Sequence, residues 1–408
     1  MFLSYKGINK YFSPINTLTL LFILQIPFKY IVLSNSEAGF LIEKYDGAII
    51  LGLKFLCLYF FITLVSYKIF QNINKKTSNK YYSISNLSKV KHFSILLPIF
   101  ILLIAIFDNG LNVFFKPIIL RSYWEKGGMA YISQFYQFAT IISLYLMYKN
   151  KTKRLNIIAF FLFHFLNSLI ISRVGWIINF FIVIVFLRNI FLNKSSIIQI
   201  GISSIVIPFF GVFSLIYRRI TIDSNLNIND VFEIFYTSLY DFFFSFAEKI
   251  VRRFDQLEHF SNLMHSIYYD KLSTSPFFPF SVFVQFIPRS FWPNKPENFS
   301  TTMTRHFDLR VIEVGATNNY LGVGEFVFIF GSFGVVLCGI FTGYMYSKLN
   351  KYWTICKIDA SAFPIMISLF MYIWIGMSSG FLNDWSIPML AINSILLLLF
   401  SRIVIRKI

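Results

Sequence analysis

The chain has 408 residues, 56% of them hydrophobic and only 14% charged, with a mean hydropathy of +0.64. A water-soluble domain carries roughly 45–50% apolar and 25% charged residues, so this composition excludes an ordinary soluble enzyme and points to a bilayer. The net charge of +18 would suggest nucleic acid in a soluble protein; here the basic residues sort by loop instead, and no nucleic-acid partner is expected.

Ten apolar runs have about the length needed to cross a hydrocarbon core of roughly 30 Å. They are Ile15–Leu33, Ala48–Phe70, Ser94–Phe115, Ala130–Tyr148, Asn156–Ser172, Val174–Leu192, Ile197–Tyr217, Tyr320–Leu349, Ala362–Phe381 and Trp385–Ile403. The first is followed by an acidic loop (Glu37, Glu43, Asp46) with no small-residue cleavage site, and reads as a retained helix. Cys57 and Cys338 fall in apolar runs and Cys356 among basic residues, so no disulfide framework is implied.

Lys and Arg alternate between loops. One set holds Lys6 and Lys10, then Lys68 to Lys91, Lys149 to Arg154, Arg188 and Lys194, Lys348 to Lys357, and Arg402 to Lys407. The opposite short loops hold only Lys44, Lys116, Arg121, Lys126 and Arg173. The bias places both termini in the cytoplasm. It also puts one long connection, residues 218–319, on the outer face between spans 1–7 (residues 1–217) and spans 8–10 (residues 320–408).

Loops of that length are functional or disordered, and this one is too apolar for disorder. From Val231, apolar residues recur at Phe235, Leu239, Phe242, Phe246, Ile250, Leu257, Phe260, Met264 and Ile267, mostly in steps of three and four. That period predicts amphipathic helix, opened by Asn229-Asp230 with Glu233 as a capping box. Beyond Tyr269, Pro276, Pro279, Pro288, Pro293 and Pro296 forbid a long regular helix.

Several polar groups could carry chemistry. Arg173 sits in a tight hairpin, Ser172-Arg173-Val174-Gly175, and either snorkels or clamps phosphate at the outer surface. Arg252 has Glu248 and Asp255 at helical spacing and reads as structural. Arg253 lies within the apolar stripe with no acid one turn away, and faces either a substrate anion, a distant acid or solvent. In Pro288-Arg289-Ser290-Phe291-Trp292-Pro293-Asn294-Lys295-Pro296, three prolines hold Arg289, Lys295 and the Trp292 ring at fixed offsets. That suits a sugar-phosphate, with the ring on a pyranose face and the cations on phosphate. It equally suits a rigid loop with Trp at headgroup depth.

Glu325, in Gly322-Val323-Gly324-Glu325, is an acid entering an apolar span and so a functional candidate. Asp108 with Asn109 is a similar case. His306, Asp308, Arg305, His259 and His265 complete the outer polar set; the lone histidines read as structural. There is no Walker-type phosphate loop, no paired His or Cys at metal spacing, and no D-x-D motif on the outer loop. No metal and no cofactor are expected.

On these residues the chain resembles the bacterial O-antigen polymerases, the oligosaccharide repeat unit polymerases. The resemblance is carried by the P-R-x-x-W-P-x-K-P run from Pro288 to Pro296 and by Ser172-Arg173. Arg253 with Asp255, and Thr317-Asn318-Asn319-Tyr320-Leu321 before the Gly-rich eighth run, add to it. It implies an all-α polytopic membrane protein of about ten helices, GT-C-like, with one large periplasmic loop, in the bacterial inner membrane.

It further implies a glycosyltransferase that moves a growing glycan from undecaprenyl pyrophosphate onto the next lipid-linked repeat unit. Its implied partners are that lipid-linked oligosaccharide, membrane lipid, a chain-length regulator and a repeat-unit flippase. Arg173, Arg253, Arg289, Lys295 and Arg305 would hold pyrophosphate and Trp292 would stack on sugar. The general base stays open among Glu325, His306 and Asp308. The related O-antigen ligases carry a His where this chain has Thr317, which argues against ligase. A ligase or a repeat-unit flippase is the alternative.

Overall fold

The computed structural model describes residues 13–19, 39–76, 80–111, 113, 117–125, 129–171, 174–192, 256–270, 272, 292, 294, 297, 299–307, 309, 319–381 and 386–407. It is mostly helical, as an all-α membrane protein should be. The helices are α1 (Gly39–Lys76), α2 (Ser88–Asn109), α3 (Pro117–Glu125), α4 (Met129–Lys149), α5 (Arg154–Ile170), α6 (Val174–Leu192), α7 (Gln256–Tyr268), α8 (Phe299–Phe307), α9 (Leu321–Phe330), α10 (Phe333–Cys356), α11 (Phe363–Ser379) and α12 (Ser386–Phe400). A 3-10 turn, Ala360–Ala362, links α10 to α11. Two strands, β1 (Lys80–Ser85) and β2 (Arg402–Lys407), complete the described elements.

Among the described residues, four helical stretches are long and apolar enough to cross a membrane: Gly47–Asn74, Ser88–Asn109, Gly175–Leu192 and Ala360–Ser379. At 1.5 Å per residue the shortest reaches about 27 Å. The first two are open on their outer flanks, where Leu64 and Phe61 of α1 and Phe107 and Leu103 of α2 are exposed together, in keeping with a hydrocarbon surrounding, whereas Ala360–Ser379 is mostly buried. Pro98 sits inside α2, a position that membrane helices tolerate better than soluble ones.

Close packing inside the bundle depends on small residues. Gly339 and Gly343 of α10 form a G-x-x-x-G stripe against α1. A Cβ on Gly339 would stand 2.8 Å from Ile62 Cγ2, and one on Gly343 would stand 2.7 Å from the Thr63 carbonyl oxygen. The backbones therefore touch, which is how helices gain contact energy where lipid removes the hydrophobic drive. Tyr59 Oη donates to Thr342 Oγ1 at 3.0 Å and Asn74 Nδ2 to Ser347 Oγ at 2.6 Å along the same seam. Helix α4 is buried from Phe135's neighbour Tyr136 through Tyr145 and contacts α2, α3, α5, α6, α11 and α12.

At one end, β1 and β2 pair antiparallel, with Lys80 opposite Lys407 and Ser85 opposite Arg402. Asp359, just before the 3-10 turn, ties this sheet to the bundle. It accepts from Tyr81 Oη at 2.7 Å, Arg406 Nη1 at 3.2 Å and Ser361 N at 2.9 Å. Burial alone would raise the Asp359 pKa, but these donors and the Arg406 charge outweigh it and hold it below the usual carboxylate value. Three loops that the sequence places in the Lys/Arg-rich set thus meet at one end of the molecule.

Two expectations change. The run Tyr320–Leu349 is not one helix. Gly331 (φ +61°) ends α9 after ten residues, and α10 begins at Phe333. The Phe326 and Phe341 rings stack with centroids 6.0 Å apart. A straight helix would separate them by roughly 22 Å. The chain therefore doubles back, and α9 is a half-helix of about 15 Å. The run Trp385–Ile403 also ends early: α12 stops at Phe400 and Ile403 belongs to β2. The seventh run, 197–217, lies outside the described residues.

Candidate functional site

The half-helix α9 carries Glu325, which is fully buried. Two glycines let α9 pack closely on its neighbours, and a third makes room for the carboxyl. Gly322 presses on the Gly376 carbonyl of α11 and on the Phe381 ring, and Gly324 lies beneath Leu263 and Phe260 of α7. Gly380, at φ +125°, ends α11, and a Cβ there would meet Glu325 Oε2 at 3.1 Å. No residue with a side chain fits that backbone angle comfortably. Leu321, the first residue of α9, also has a left-handed φ of +61°, a conformation that costs a non-glycine residue of order 1–3 kcal/mol. The entry to α9 is held in that shape by Tyr320, which is buried against Phe299 and Phe307.

Around the carboxyl, Cys338 of α10 and Tyr372 of α11 lie within electrostatic reach. Tyr372 Oη donates to the Phe381 carbonyl at 3.3 Å. Beyond Cys338 follow Thr342 and Tyr59, and Tyr346 Oη meets Met377 Sδ at 3.3 Å. The acid therefore heads a polar tract inside the α1–α10–α11 seam. An ionisable group in such a place is a functional candidate rather than a packing choice.

Helices α7 and α8 cover this region. Leu263 of α7 and Phe299 and Met303 of α8 pack with Tyr320 and Phe328 into a small apolar cluster. The periodicity expected for the long loop holds over the part described: Leu257, Phe260 and Met264 are buried and the helix ends at Tyr268. Arg305 and His306 ride on the exposed side of α8. Arg305 is engaged by Glu297, through Nε at 3.1 Å and Nη2 at 2.5 Å. That pairing raises its pKa. Trp292 is 41% exposed, so its ring has a face available for stacking. The cluster links the helix that carries Glu325 to the helix that carries Arg305 and His306, with the acid buried and the two basic residues exposed. Arg173, Arg253, Arg289, Lys295 and Asp308 lie outside the described residues.

Other expectations resolve as structural. Asp108 accepts from Tyr123 Oη at 2.7 Å and Asn109 Nδ2 donates to the same hydroxyl at 2.9 Å, clasping α2 to α3. His265 faces Asp270 at 3.8 Å and packs on Tyr269, and the His259 ring lies on Tyr320. Among the described residues no three His, Cys, Asp or Glu side chains gather as a metal site.

A second buried polar group was not read from the sequence. Tyr136 Oη and His164 Nδ1 are 2.6 Å apart, and Asn167 Nδ2 donates to Tyr136 Oη at 2.8 Å. The Trp124 and Trp176 rings enclose Tyr136 at 5.2 and 5.1 Å. Its signal was present: Tyr136, Gln137, Thr140 and Ser143 on α4, and His164, Asn167 and Ser168 on α5, recur at helical spacing.

Comparison with family models, curated proteins and solved structures finds no match in any of the three.

Proposed function

We propose that this protein is an O-antigen polymerase, a glycosyltransferase of the bacterial inner membrane. It moves a growing glycan from undecaprenyl pyrophosphate to a hydroxyl of the next lipid-linked repeat unit at the periplasmic face. In this reading both termini are cytoplasmic, the fold is GT-C-like, and α9 enters the membrane from the periplasmic side and turns back before α10 crosses. The count of ten crossings is kept because α10 alone is long enough to replace the eighth run. Asp359 and the β1–β2 sheet then mark the cytoplasmic end, in keeping with the basic loops gathered there.

The observation that carries the reading is Glu325, a fully buried carboxyl in a half-helix whose flanking Tyr320 and Phe328 pack against α8, the helix that bears Arg305. Departure of a lipid diphosphate develops negative charge, which preorganised cations stabilise best where water is excluded. Arg289, Lys295, Arg253, Arg173 and Arg305 are assigned to that role and Trp292 to sugar stacking. The acceptor hydroxyl must lose a proton to a positioned base. Of the three base candidates Glu325, an acid within an apolar helix, is preferred over His306, which is exposed on α8. Asp308 enters only through the sequence.

A flippase is the second reading, because a broken helix with a buried acid also recurs in transporters. One lipopolysaccharide gel of a deletion strain separates the readings. Loss of a polymerase leaves cores capped by a single repeat unit and no ladder. Loss of a flippase or a ligase leaves cores with no repeat unit, and that outcome overturns the proposal.

A further inference from the structure

The two-stranded sheet has two unlike faces. Tyr81 and Ser83 of β1 point into the bundle and are buried, with Tyr81 bonded to Asp359. Cross-strand partners share a face, so the opposite face carries Lys80, Tyr82 and Ile84 from β1 with Lys407, Ile405 and Ile403 from β2. On it Tyr82 is 50%, Ile403 43% and Ile405 60% exposed, whereas Ile84 is buried; β2 is exposed along its whole length.

The sheet's position is tightly bounded. Ser85 is two residues from α2, a helix long enough to cross, and Arg402 is one residue from α12. At the other end Lys80 is three residues beyond α1. A residue spans at most about 3.6 Å, so these tethers hold the sheet along the end of the helices. The headgroup layer there is roughly 5–8 Å deep on each side of the hydrocarbon.

The apolar exposure is continuous with that of α12. Leu398 and Leu399 are 63% and 71% exposed on the helix, and Ile403 follows the helix end after Ser401 and Arg402. Lys80 and Lys407 stand on this face, Lys89 and Lys91 follow close by in the chain, and Arg402 and Arg406 lie on the other face, where Arg406 pairs with Asp359; residues 75–91 and 402–407 contain no Asp or Glu. Directly opposed lysines, such as Lys80 and Lys407, repel across an antiparallel pair.

We propose that the Tyr82–Ile403–Ile405 face is a lipid-binding surface. The tyrosine and isoleucines sit at the headgroup–acyl boundary, and the basic residues around them bind the headgroups of anionic phospholipid. Tyr at this depth and basic residues at the phosphates follow the usual division of labour at a membrane surface. The assignment is independent of the polymerase reading and survives its failure.

The test uses the full chain in nanodiscs of phosphatidylcholine, with and without phosphatidylglycerol. Cys57, the exposed cysteine among the three, is replaced by Ser and Ile405→Cys is labelled with an environment-sensitive fluorophore. Blue-shifted emission, quenched by a lipid with a shallow nitroxide, is expected in both bilayers, with quenching deepened about twofold by phosphatidylglycerol. Lys80→Glu with Lys407→Glu should abolish that gain, and Lys80→Arg with Lys407→Arg should keep it. Water-like, unquenched emission overturns the proposal. Quenching that is equal in both bilayers overturns the anionic-headgroup assignment. Size-exclusion profiles identical to the parent show that the variants are folded.

Discussion

The carboxyl of Glu325 rests against the backbone of Gly380: a methyl group placed on that glycine would meet Oε2 at 3.1 Å and Oε1 at 3.2 Å. The two residues come from elements separated by all of α10 and α11, so the fit depends on the fold and not on local sequence. Gly380→Ala forces a side chain onto a φ of +125° and pushes the carboxyl aside. Glu325→Gln keeps the volume and removes the base. Both variants are expected to lose the polysaccharide ladder on a lipopolysaccharide gel, with protein level in the membrane normal for Glu325→Gln. A full ladder from Glu325→Gln would remove this acid from the proposed chemistry.

Arg305 and Glu297 form a two-bond pair on an exposed part of α8, and such pairs contribute little stability in water. The guanidinium is still present when its partner is gone. Arg305→Ala should therefore shorten or erase the ladder, whereas Glu297→Ala should leave it long. Equal effects from the two substitutions would mean that the pair serves only to tether α8.

The seam between α1 and α10 tolerates no added bulk. Overpacking of a tight contact costs about 1–3 kcal/mol, and here the obstacle is backbone, which cannot rotate away. By contrast, hydrogen bonds between membrane helices average about 0.6 kcal/mol each, so losing the two bonds of Tyr136 removes about 1 kcal/mol. Thermal unfolding in detergent should rank Gly343→Leu as far more damaging than Tyr136→Phe. Tyr136→Phe should keep its ladder.

Asp359 gives a pH dependence with a definite sign. Its folded pKa lies below the unfolded carboxylate value of about 3.9, so its contribution is full above that value and is lost as pH falls through the folded pKa. Tyr81 has the opposite sense: its hydrogen bond to Asp359, and then its burial, raise its pKa. Its contribution is full below the unfolded tyrosine value of about 10 and is lost as pH rises through the folded one. Melting temperatures of Asp359→Asn should fall short of wild type at neutral pH and converge with it in acid. A gap that stays constant down to strongly acidic pH would contradict the clasp.

Much of the fold was legible in the chain. Period-3.6 spacing at Leu257, Phe260 and Met264 gave α7 its buried face, and uniform apolar runs gave the crossing helices. The hairpin at Gly331-Ser332 was not read, because the hydropathy of Tyr320–Leu349 does not dip there; only the Gly-Ser pair marks the break. The strands were hidden for a different reason. KYYSIS and RIVIRK are six residues each, one set in a basic loop and the other at the edge of an apolar run, and neither can form without the other. Of the site, Glu325 stood out as a charge in an apolar setting. The Tyr136–His164 pair did not, since neutral polar residues dispersed along a helix look like ordinary packing until two helices face each other.

The pairing of Ser85 with Arg402 spans 317 positions. At a synthesis rate of about 5–20 residues per second, β1 emerges from the ribosome roughly 15–60 s before its only strand partner among the described residues exists. Residues Arg402–Lys407 therefore close a structure that Lys80–Ser85 begin much earlier in the chain. A ribosome-bound chain that has not yet reached Arg402 holds β1 without that partner, so this contact forms late whatever the order in which the helices pack.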